Sequence, residues 1–183
     1  MLQPDFGTTV LISASALVVL LASSARLRDL LGVAFIGLAG GALLAVAAPY
    51  RLERLTAFLD STPDVLGDGY HAHQSLVALG TGGWFGVGLG ASRARWSFLP
   101  NAHSDFIFSI IGEETGLAGA LAVVALFMVL AAVGTVIALR ARDQFGRLLA
   151  IGVVAWLTFQ ALVNVGGVVR VIPISGVPLP FVS

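Results

Sequence analysis

Four long runs without a charged residue constrain this chain more than any other feature. They cover residues 6–25, 30–50, 115–139 and 148–169, and each is 20 to 25 residues long. A helix needs about 20 apolar residues to cross roughly 30 Å of hydrocarbon, and in lipid only a helix satisfies the backbone of such a run. The sequence therefore predicts four transmembrane helices and an all-α, polytopic membrane fold.

The composition excludes several other classes of protein. Apolar residues make up 57% of the 183 residues and charged residues 11%, whereas soluble chains are about 25% charged. A soluble domain of this size cannot hide so much apolar surface. Ten basic residues balance ten acidic ones, which argues against a nucleic-acid partner because such proteins carry a basic surplus. Cysteine is absent, which excludes disulfides and thiolate ligands.

The orientation in the membrane follows from the arginines in the short turns. The turns after the first and third spans carry Arg26, Arg28, Arg140, Arg142 and Arg147. Both turns lie on one side if the spans alternate, and the positive-inside rule makes that side cytoplasmic. Residues of about 50–105 then form a large outer loop, and the chain re-enters the membrane up to residue 114.

Glycine-rich stretches of the sequence each admit more than one interpretation. The outer loop has a short helical pattern over 70–79, followed by a glycine-rich run over 80–90. Part of this run fits GxGxxA, but no strand precedes it, so dinucleotide binding is disfavoured. Flexible loop backbone and closely packed backbone both remain open. Gly37 and Gly41 form a GxxxG pattern, which is typical of a helix-packing face.

Asp105, where the outer loop meets the membrane, has two interpretations. Aspartate is a favoured N-cap, and the carboxylate would then cap a helix that starts near Phe106. Alternatively, Asp105 is a general base at the level of the lipid head groups, because ionisable groups at membrane depth are functional candidates and a positioned carboxylate accepts a hydroxyl proton. Glu113 and Glu114 either pair with loop arginines or shape a cavity, and at most one of them faces it because helical neighbours diverge by about 100°.

Other polar residues suggest contacts with anions, metals or neighbouring helices. Arg93 and Arg95 lie next to Trp96 and are either phosphate ligands or interfacial anchors. The histidines at 71, 73 and 103 with Asp105 lack zinc-ligand spacing, so Mg²⁺ or Mn²⁺ shared with a substrate phosphate is favoured. Gln160 and Asn164, inside the fourth span, are expected to bond a neighbouring helix.

Taken together, several strings resemble the SEDS family (shape, elongation, division and sporulation), which includes FtsW and RodA. The resemblance covers the whole chain in order, and the Leu-Pro-Asn-Ala-His form is more similar to the division branch, FtsW. The matching strings are QPDFGTT (3–9), YRLER (50–54), GY (69–70), QS (74–75), GGWFGVGLG (82–90), LPNAHSDFIF (99–108), IGEE (111–114), NVG (164–166) and PLPFVS (178–183).

The resemblance implies a ten-helix membrane enzyme, of which the four spans would be the sixth to ninth helices. The chain would then be a C-terminal-half fragment, inactive alone. The implied activity is peptidoglycan glycosyltransfer, in which lipid II is polymerised into glycan strands at the outer face of the bacterial plasma membrane, at the division septum. Asp105 matches the family's essential aspartate, as general base or as ligand of Mg²⁺ or Mn²⁺. We expect Arg93, Arg95, His103 and Glu114 to contact the substrate.

The resemblance also implies partners, namely a class B penicillin-binding protein, other membrane proteins of the division machinery, and lipids. Two alternatives are a flippase for lipid-linked precursors and a non-catalytic division scaffold. Replacing Asp105 would spare both alternatives and abolish polymerisation. The sequence departs from the family pattern at His71, Thr115 and Arg170, and the last of these bears on packing at the outer end of the ninth helix.

Overall fold

The computed structural model describes residues 6–23, 25–46, 68–92, 106–173 and 176–183. These residues contain helices and no β-strand, which confirms the all-α class. The helices are α1 (Phe6–Ala22), α2 (Leu27–Val46), α3 (Asp68–Gly82), α4 (Ile107–Arg140) and α5 (Gln144–Val168).

Four of these helices lie on the four uncharged runs, and α3 contains the helical pattern of the outer loop. Helix α4 starts at Ile107, earlier than the expected span of 115–139, so the expected re-entry segment is itself helical. The backbone leaves helical geometry at Gly116, where φ is 73° and ψ is −171°. The third span thus has a short outer part before this break and a long part after it.

Helices α4 and α5 are long and apolar enough to cross a membrane, and a shorter apolar helix covers Gly7–Ala22. Only 6% of the most apolar window of α4 is buried within the chain, and large side chains such as Leu126, Met128 and Leu139 are mostly exposed. Apolar surface of this extent is unfavourable in water. The exposed helices are those of a multi-pass membrane protein whose outer surface contacts lipid or further helices.

The chain divides into two compact units, and α4 and α5 contribute to both of them. One unit comprises Met1–Leu52 and Phe127–Phe159, and the other comprises Glu53–Leu126 and Gln160–Ser183. The second unit contains α3, the glycine-rich run, the break in α4 and the end of α5. It therefore holds the described parts of the outer loop.

Helices in the first unit approach closely at small residues. A Cβ atom at Gly134 would overlap the Val154 side chain, and one at Gly152 would lie 3.1 Å from Val19 Cγ2. Gly37 and Gly41 of α2 have no atom within 4 Å of such a Cβ among the described residues. The predicted packing face of α2 is therefore open in the part of the chain that the structure describes.

A side-chain cap fixes the start of α5 in the first unit. The Gly146 amide donates to Asp143 Oδ2 at 2.6 Å, and the Arg147 amide donates to the Asp143 carbonyl at 3.1 Å. Asp143 therefore occupies the N-cap position, where an aspartate satisfies an amide that has no partner within the helix. The polar cap is encoded locally, in the turn that joins α4 to α5.

Two amide side chains in α5 anchor the residues that follow it in the second unit. Asn164 Nδ2 donates to the Val177 carbonyl at 2.8 Å, and Gln160 Nε2 donates to the Pro178 carbonyl at 3.0 Å. We expected both residues to bond a neighbouring helix, but their partners belong to the non-helical segment 176–183. The acceptors belong to this segment because it is not helical. Its backbone carbonyls are therefore not used in a helix, and they lie against α5.

The C-terminus of α5 ends in a Schellman motif built on an arginine. The Val171 amide donates to the Gly166 carbonyl at 2.9 Å and the Arg170 amide to the Gly167 carbonyl at 3.2 Å. Arg170 adopts a left-handed conformation with φ of 59°, at the position where glycine is usual. The departure noted in the sequence at Arg170 therefore falls on a strained residue at the end of α5.

Candidate functional site

The break in α4 leaves four backbone groups without helical partners. In a continuous helix, the amides of Leu117 and Ala118 would donate to the carbonyls of Glu113 and Glu114. The conformation of Gly116 separates these groups. Unpaired backbone groups at the edge of a membrane are costly, and such breaks occur where other protein groups replace the lost bonds.

The glycine-rich run supplies all four missing partners. Amides of the run donate to the released carbonyls, and its carbonyls accept from the released amides. The bonds are Val87 N to Glu113 O at 2.9 Å, Gly88 N to Glu114 O at 3.1 Å, Leu117 N to Gly83 O at 2.8 Å and Ala118 N to Trp84 O at 3.3 Å. Two helical hydrogen bonds are thus replaced by four that fasten the run to the break.

This pairing requires glycine where the two backbones meet. Gly86 has φ of 79°, and a Cβ atom there would overlap the Glu114 carbonyl oxygen. A Cβ atom at Gly116 would overlap the Gly86 nitrogen. Of the two interpretations that the sequence left open, closely packed backbone is the one observed. Gly116, just after the paired glutamates, was the sequence signal for the break, and it was missed.

Ser92, two residues after the run, contacts the same turn of α4 through its side chain. Its Oγ donates to Glu113 Oε2 at 2.5 Å. Both residues are buried, with 1% of Ser92 and 4% of Glu113 exposed. Ser92 is the last described residue before the segment 93–105, so this hydrogen bond fixes the point at which that segment begins.

Phe106 fixes the other end of the segment. Its carbonyl accepts hydrogen bonds from the Ser109 amide at 3.0 Å and the Ile110 amide at 3.3 Å. Phe106 therefore holds the N-cap position of α4, and Asp105 precedes the cap by one residue. The side chains of Phe106, Phe108 and Ile110 are buried, so apolar packing contributes to holding this helix start.

Most of the predicted site residues lie outside the described residues. Arg93, Arg95, His103 and Asp105 all fall in the segment 93–105. Glu114 is described: its side chain is partly exposed, yet Oε1 is buried and has no hydrogen-bond partner among the described residues. Within those same residues, no three His, Asp or Glu side chains are grouped as in a metal site.

An apolar groove of about 250 Å³ lies beside the break, within the second unit. Its lining runs along α4 from before Gly116 to beyond it, with contributions from α3 and α5. Residues that line it include Leu79, Phe108, Gly112, Leu121, Val124 and Val165. The groove therefore starts close in sequence to Asp105 and continues along the apolar part of the span.

The comparisons with known proteins agree with this architecture. The sequence model of the FtsW/RodA/SpoVE family, described as a cell cycle protein, matches residues 1–183. The chain belongs to this family. Relatives that it matches over its whole length include the stage V sporulation protein E of Bacillus subtilis (strain 168), at 40% identity over 50% of that protein.

Other members of the family carry an enzyme name. Proteins called probable peptidoglycan glycosyltransferase FtsW from Legionella pneumophila and Nitrosococcus halophilus are 43% and 44% identical to the whole chain, which covers 47% and 48% of their lengths. A solved structure titled "Structural coordination of polymerization and crosslinking by a peptidoglycan synthase complex" matches with a TM-score of 0.71 and 30% identity, over 100% of this chain and 50% of that one. The chain spans about half the length of the relatives it matches.

Proposed function

We propose that these 183 residues provide the outer loop and the catalytic carboxylate of a peptidoglycan glycosyltransferase that polymerises lipid II for septal wall synthesis. The observation that carries this proposal is the placement of the two described residues that border segment 93–105. Ser92 makes a buried contact with Glu113, and Phe106 holds the N-cap position of α4. Group transfer between two large substrates depends on such positioning.

Asp105 is the general base in this proposal. Its carboxylate accepts the proton of the 4-hydroxyl of the N-acetylglucosamine on one lipid-linked substrate. The hydroxyl oxygen attacks the anomeric carbon of the N-acetylmuramic acid on the other. The bond from this carbon to the pyrophosphate breaks, and undecaprenyl pyrophosphate leaves with the bonding electrons. A pyrophosphate departs without protonation, so one carboxylate suffices where glycoside hydrolysis usually needs two.

The remaining residues of the predicted site bind substrate. Arg93 and Arg95 stabilise the pyrophosphate, because guanidinium groups bind phosphate oxygens through paired hydrogen bonds. His103 and Glu114 contact the sugar-peptide part. The buried, unpartnered Oε1 of Glu114 supports this assignment, since a buried carboxylate oxygen gains from a donor that a substrate would supply. The apolar groove beside the break accords with a lipid-linked substrate.

A divalent cation held by Asp105 is the second proposed role of that carboxylate. Aspartate oxygens are suitable ligands for Mg²⁺ or Mn²⁺, which would neutralise charge on the leaving pyrophosphate. Loss of polymerisation on chelation, restored by added Mg²⁺ or Mn²⁺, tests this role. Activity that persists in excess chelator leaves Asp105 as general base only.

We propose that the activity needs the other half of the family fold and a partner. The chain covers 50% of the solved chain from the peptidoglycan synthase complex, whose title couples polymerisation with crosslinking. A class B penicillin-binding protein is the partner class that supplies crosslinking in such a pair. Other membrane proteins of the division machinery and membrane lipids are further proposed partners.

The test uses a chimera in which residues 1–183 replace the matching half of the Legionella pneumophila relative, purified with that relative's partner. Lipid II polymerisation is read as glycan chains on a gel, with the unmodified relative as positive control. We expect polymer from the chimera and none from its Asp105→Ala variant at equal folded amount. Because a contaminating polymerase would be unaffected by this substitution, the comparison also controls for contamination.

The other outcomes separate the competing functions. Polymer from both proteins would show that Asp105 is not the base, and Glu114 would be tested next. No polymer from the chimera, together with transfer of lipid-linked precursor across vesicles, would support a flippase. A chimera that restores division in cells equally well with and without Asp105→Ala would support a scaffold.

A further inference from the structure

We infer that Trp84 and Phe85, which form the tip of the glycine-rich run, insert into the membrane as an interfacial anchor of the outer loop. The partner is lipid, at the boundary between the head groups and the acyl chains. This inference does not rest on the proposed function, because these two side chains take part in no step of the transfer reaction.

The first argument is the direction in which the run lies against α4. The Trp84 carbonyl accepts from the Ala118 amide, whereas the Gly88 amide donates to the Glu114 carbonyl. The run is therefore antiparallel to α4. Residue numbers along α4 increase from the charged Glu114 into the uncharged span, so Trp84 lies at the deep end of the run and Gly88 at the shallow end.

The second argument is the depth of that end. The uncharged run 115–139 is centred on residue 127, nine residues after Ala118. Nine residues correspond to about 14 Å along a helix, which is close to half of the roughly 30 Å of hydrocarbon. Because the Ala118 amide bonds the Trp84 carbonyl, Trp84 lies at the boundary of the hydrocarbon.

The third argument is the character of the tip. Trp84 is 71% exposed and Phe85 is 89% exposed among the described residues. Two large apolar side chains next to each other are unfavourable in water. Tryptophan is enriched at membrane interfaces, and phenylalanine is common where a segment is buried at the boundary of head groups and acyl chains. The side chains therefore suit the depth at which the hydrogen bonds place them.

The fourth argument is that little polar surface opposes insertion. The 24 residues between Asp68 and Arg93 include no Asp, Glu, Lys or Arg. Backbone groups near hydrocarbon need partners, and the tip has them: α4 bonds the Trp84 carbonyl, and the Gly86 amide donates to the Gly82 carbonyl at 2.7 Å. The loop can therefore approach the acyl chains at a low polar cost.

The fifth argument is continuity with the exposed face of α4. Ala118, Ala122 and Leu126 are exposed and lie four residues apart, which places them on one face of the helix. The tip adjoins the first of them through the bond to Trp84. The apolar surface of the tip thus continues into the apolar surface of a membrane span, which favours lipid over a partner protein as its surroundings.

The experiment measures the depth of a nitroxide spin label at Phe85. Residues 1–183 contain no cysteine, so Phe85→Cys gives one labelled site in a chimera whose other half is made cysteine-free. The chimera is reconstituted in vesicles of phosphatidylcholine and phosphatidylglycerol. Oxygen concentrates in hydrocarbon and a polar nickel chelate is excluded from it, so the ratio of the two accessibilities rises with depth.

Labels along α4 provide an internal depth scale. Ala118→Cys, Ala122→Cys and Leu126→Cys span about 12 Å, over which the ratio should rise about tenfold because polar solutes are excluded from hydrocarbon. This rise also verifies that the chimera is inserted. We expect the ratio at Phe85 to lie within about threefold of the ratio at Ala118, since hydrogen bonds hold the two sites at one level.

Two further labels are matched controls. Leu89 is 84% exposed, as the tip is, but it follows Gly88 at the shallow end of the run. Its ratio should be about threefold or more below that at Phe85, because it lies outside the hydrocarbon. Arg142→Cys, in the exposed turn before α5, reports the ratio in water.

A second measurement leaves Phe85 unchanged. Every tryptophan of the chimera except Trp84 is replaced by phenylalanine, including Trp96 and Trp156. Lipids with a quencher near the head group should quench Trp84 fluorescence more than lipids with a quencher near the chain end. Iodide in the water should quench it several-fold less than it quenches free tryptophan, because an anion is excluded from hydrocarbon.

A ratio at Phe85 as low as that at Arg142, or quenching of Trp84 by iodide as strong as for free tryptophan, overturns the inference. Low accessibility of Phe85 to both oxygen and the chelate overturns it as well, because protein would then cover the tip. A ratio at Leu89 equal to that at Phe85 contradicts the direction of the run. These measurements need no substrate, so a chimera that makes no polymer contradicts the proposed function and not the anchor.

Discussion

Gly86 and Gly116 lie backbone to backbone, so close that a Cβ atom on Gly116 would overlap the Gly86 nitrogen. They are 30 positions apart in the sequence, one in the outer loop and one inside a membrane helix. Because the two backbones are this close, the loop can form hydrogen bonds with the amides and carbonyls that lose their helical partners at the break. Ser92, two residues after the glycine-rich run, bonds Glu113 in the same part of α4.

Replacing Gly116 by alanine should destabilise the protein. Gly116 has φ of 73° and ψ of −171°, a backbone conformation that essentially only glycine adopts. This conformation costs any other residue about 1–3 kcal/mol of free energy. The overlap of the new Cβ atom with Gly86 adds to that cost. The measurement is the thermal midpoint in detergent. Gly80→Ala is the control, because Gly80 is helical with open space around its Cβ position and should be neutral or stabilising by up to about 1 kcal/mol.

Gly86 and Gly90 offer a matched pair that separates backbone strain from steric overlap. Both have φ of 79°, but a Cβ atom meets the Glu114 backbone at Gly86 and nothing within 4 Å at Gly90. Gly90→Ala should destabilise by about 1–2 kcal/mol through strain alone. Gly86→Ala should destabilise by about 1–3 kcal/mol more, as overpacking does. Equal losses in denaturation curves would show that the loop does not dock on the break.

Arg170→Gly should stabilise the end of α5. Arg170 adopts φ of 59° at the position after the helix. This left-handed conformation costs a non-glycine residue about 1–2 kcal/mol of free energy. Part of this gain is offset by the greater freedom of glycine in the unfolded chain, so we expect about 0.5–1 kcal/mol. Arg170→Ala keeps the strain and removes the charge. Stabilisation by alanine as large as by glycine would assign the effect to charge rather than to backbone conformation.

The two amide side chains that bond the segment 176–183 should differ in importance. Asn164 is 4% exposed and donates to the Val177 carbonyl, whereas the bond from Gln160 to the Pro178 carbonyl is exposed. Asn164→Ala should destabilise by about 1–3 kcal/mol because a buried carbonyl loses its donor. Gln160→Ala should destabilise by less than Asn164→Ala, since Gln160 is less buried and the carbonyl that it leaves lies at the surface of the chain, where another donor can reach it. Equal effects on Tm would contradict this assignment.

Glu114→Gln should affect activity more than stability. Glu114 Oε1 is buried and has no hydrogen-bond partner among the described residues, so loss of its charge should leave Tm unchanged or raise it slightly. If the carboxylate binds substrate, KM for lipid II in the chimera should rise about tenfold, as expected for the loss of one charge-assisted hydrogen bond. Asp143→Asn, in the turn before α5, is the control with no expected change in KM. Unchanged KM in Glu114→Gln would remove this residue from the proposed site.

The sequence by itself determined the helices on the four uncharged runs, the all-α class and the family. Four uncharged runs were enough for the spans, because crossing hydrocarbon requires length and apolarity, which are local properties. A helix start near Phe106 belonged to one of the two interpretations of Asp105, that of a capping aspartate, and α4 does begin at Ile107. The catalytic assignment to Asp105 rested on a string of neighbouring residues, and it stays a prediction because that residue lies outside the described part of the chain.

Only the tertiary structure decided how the outer loop is held. The sequence left the glycine-rich run either flexible or packed, and Gly116 looked like one more small residue in an apolar span. Their pairing joins backbone groups 26 to 34 residues apart, and periodicity carries no information about contacts at such a distance. The run can bond the carbonyls of Glu113 and Glu114 only because the break in α4 removes their helical donors. This replacement of hydrogen bonds occurs only in the folded chain.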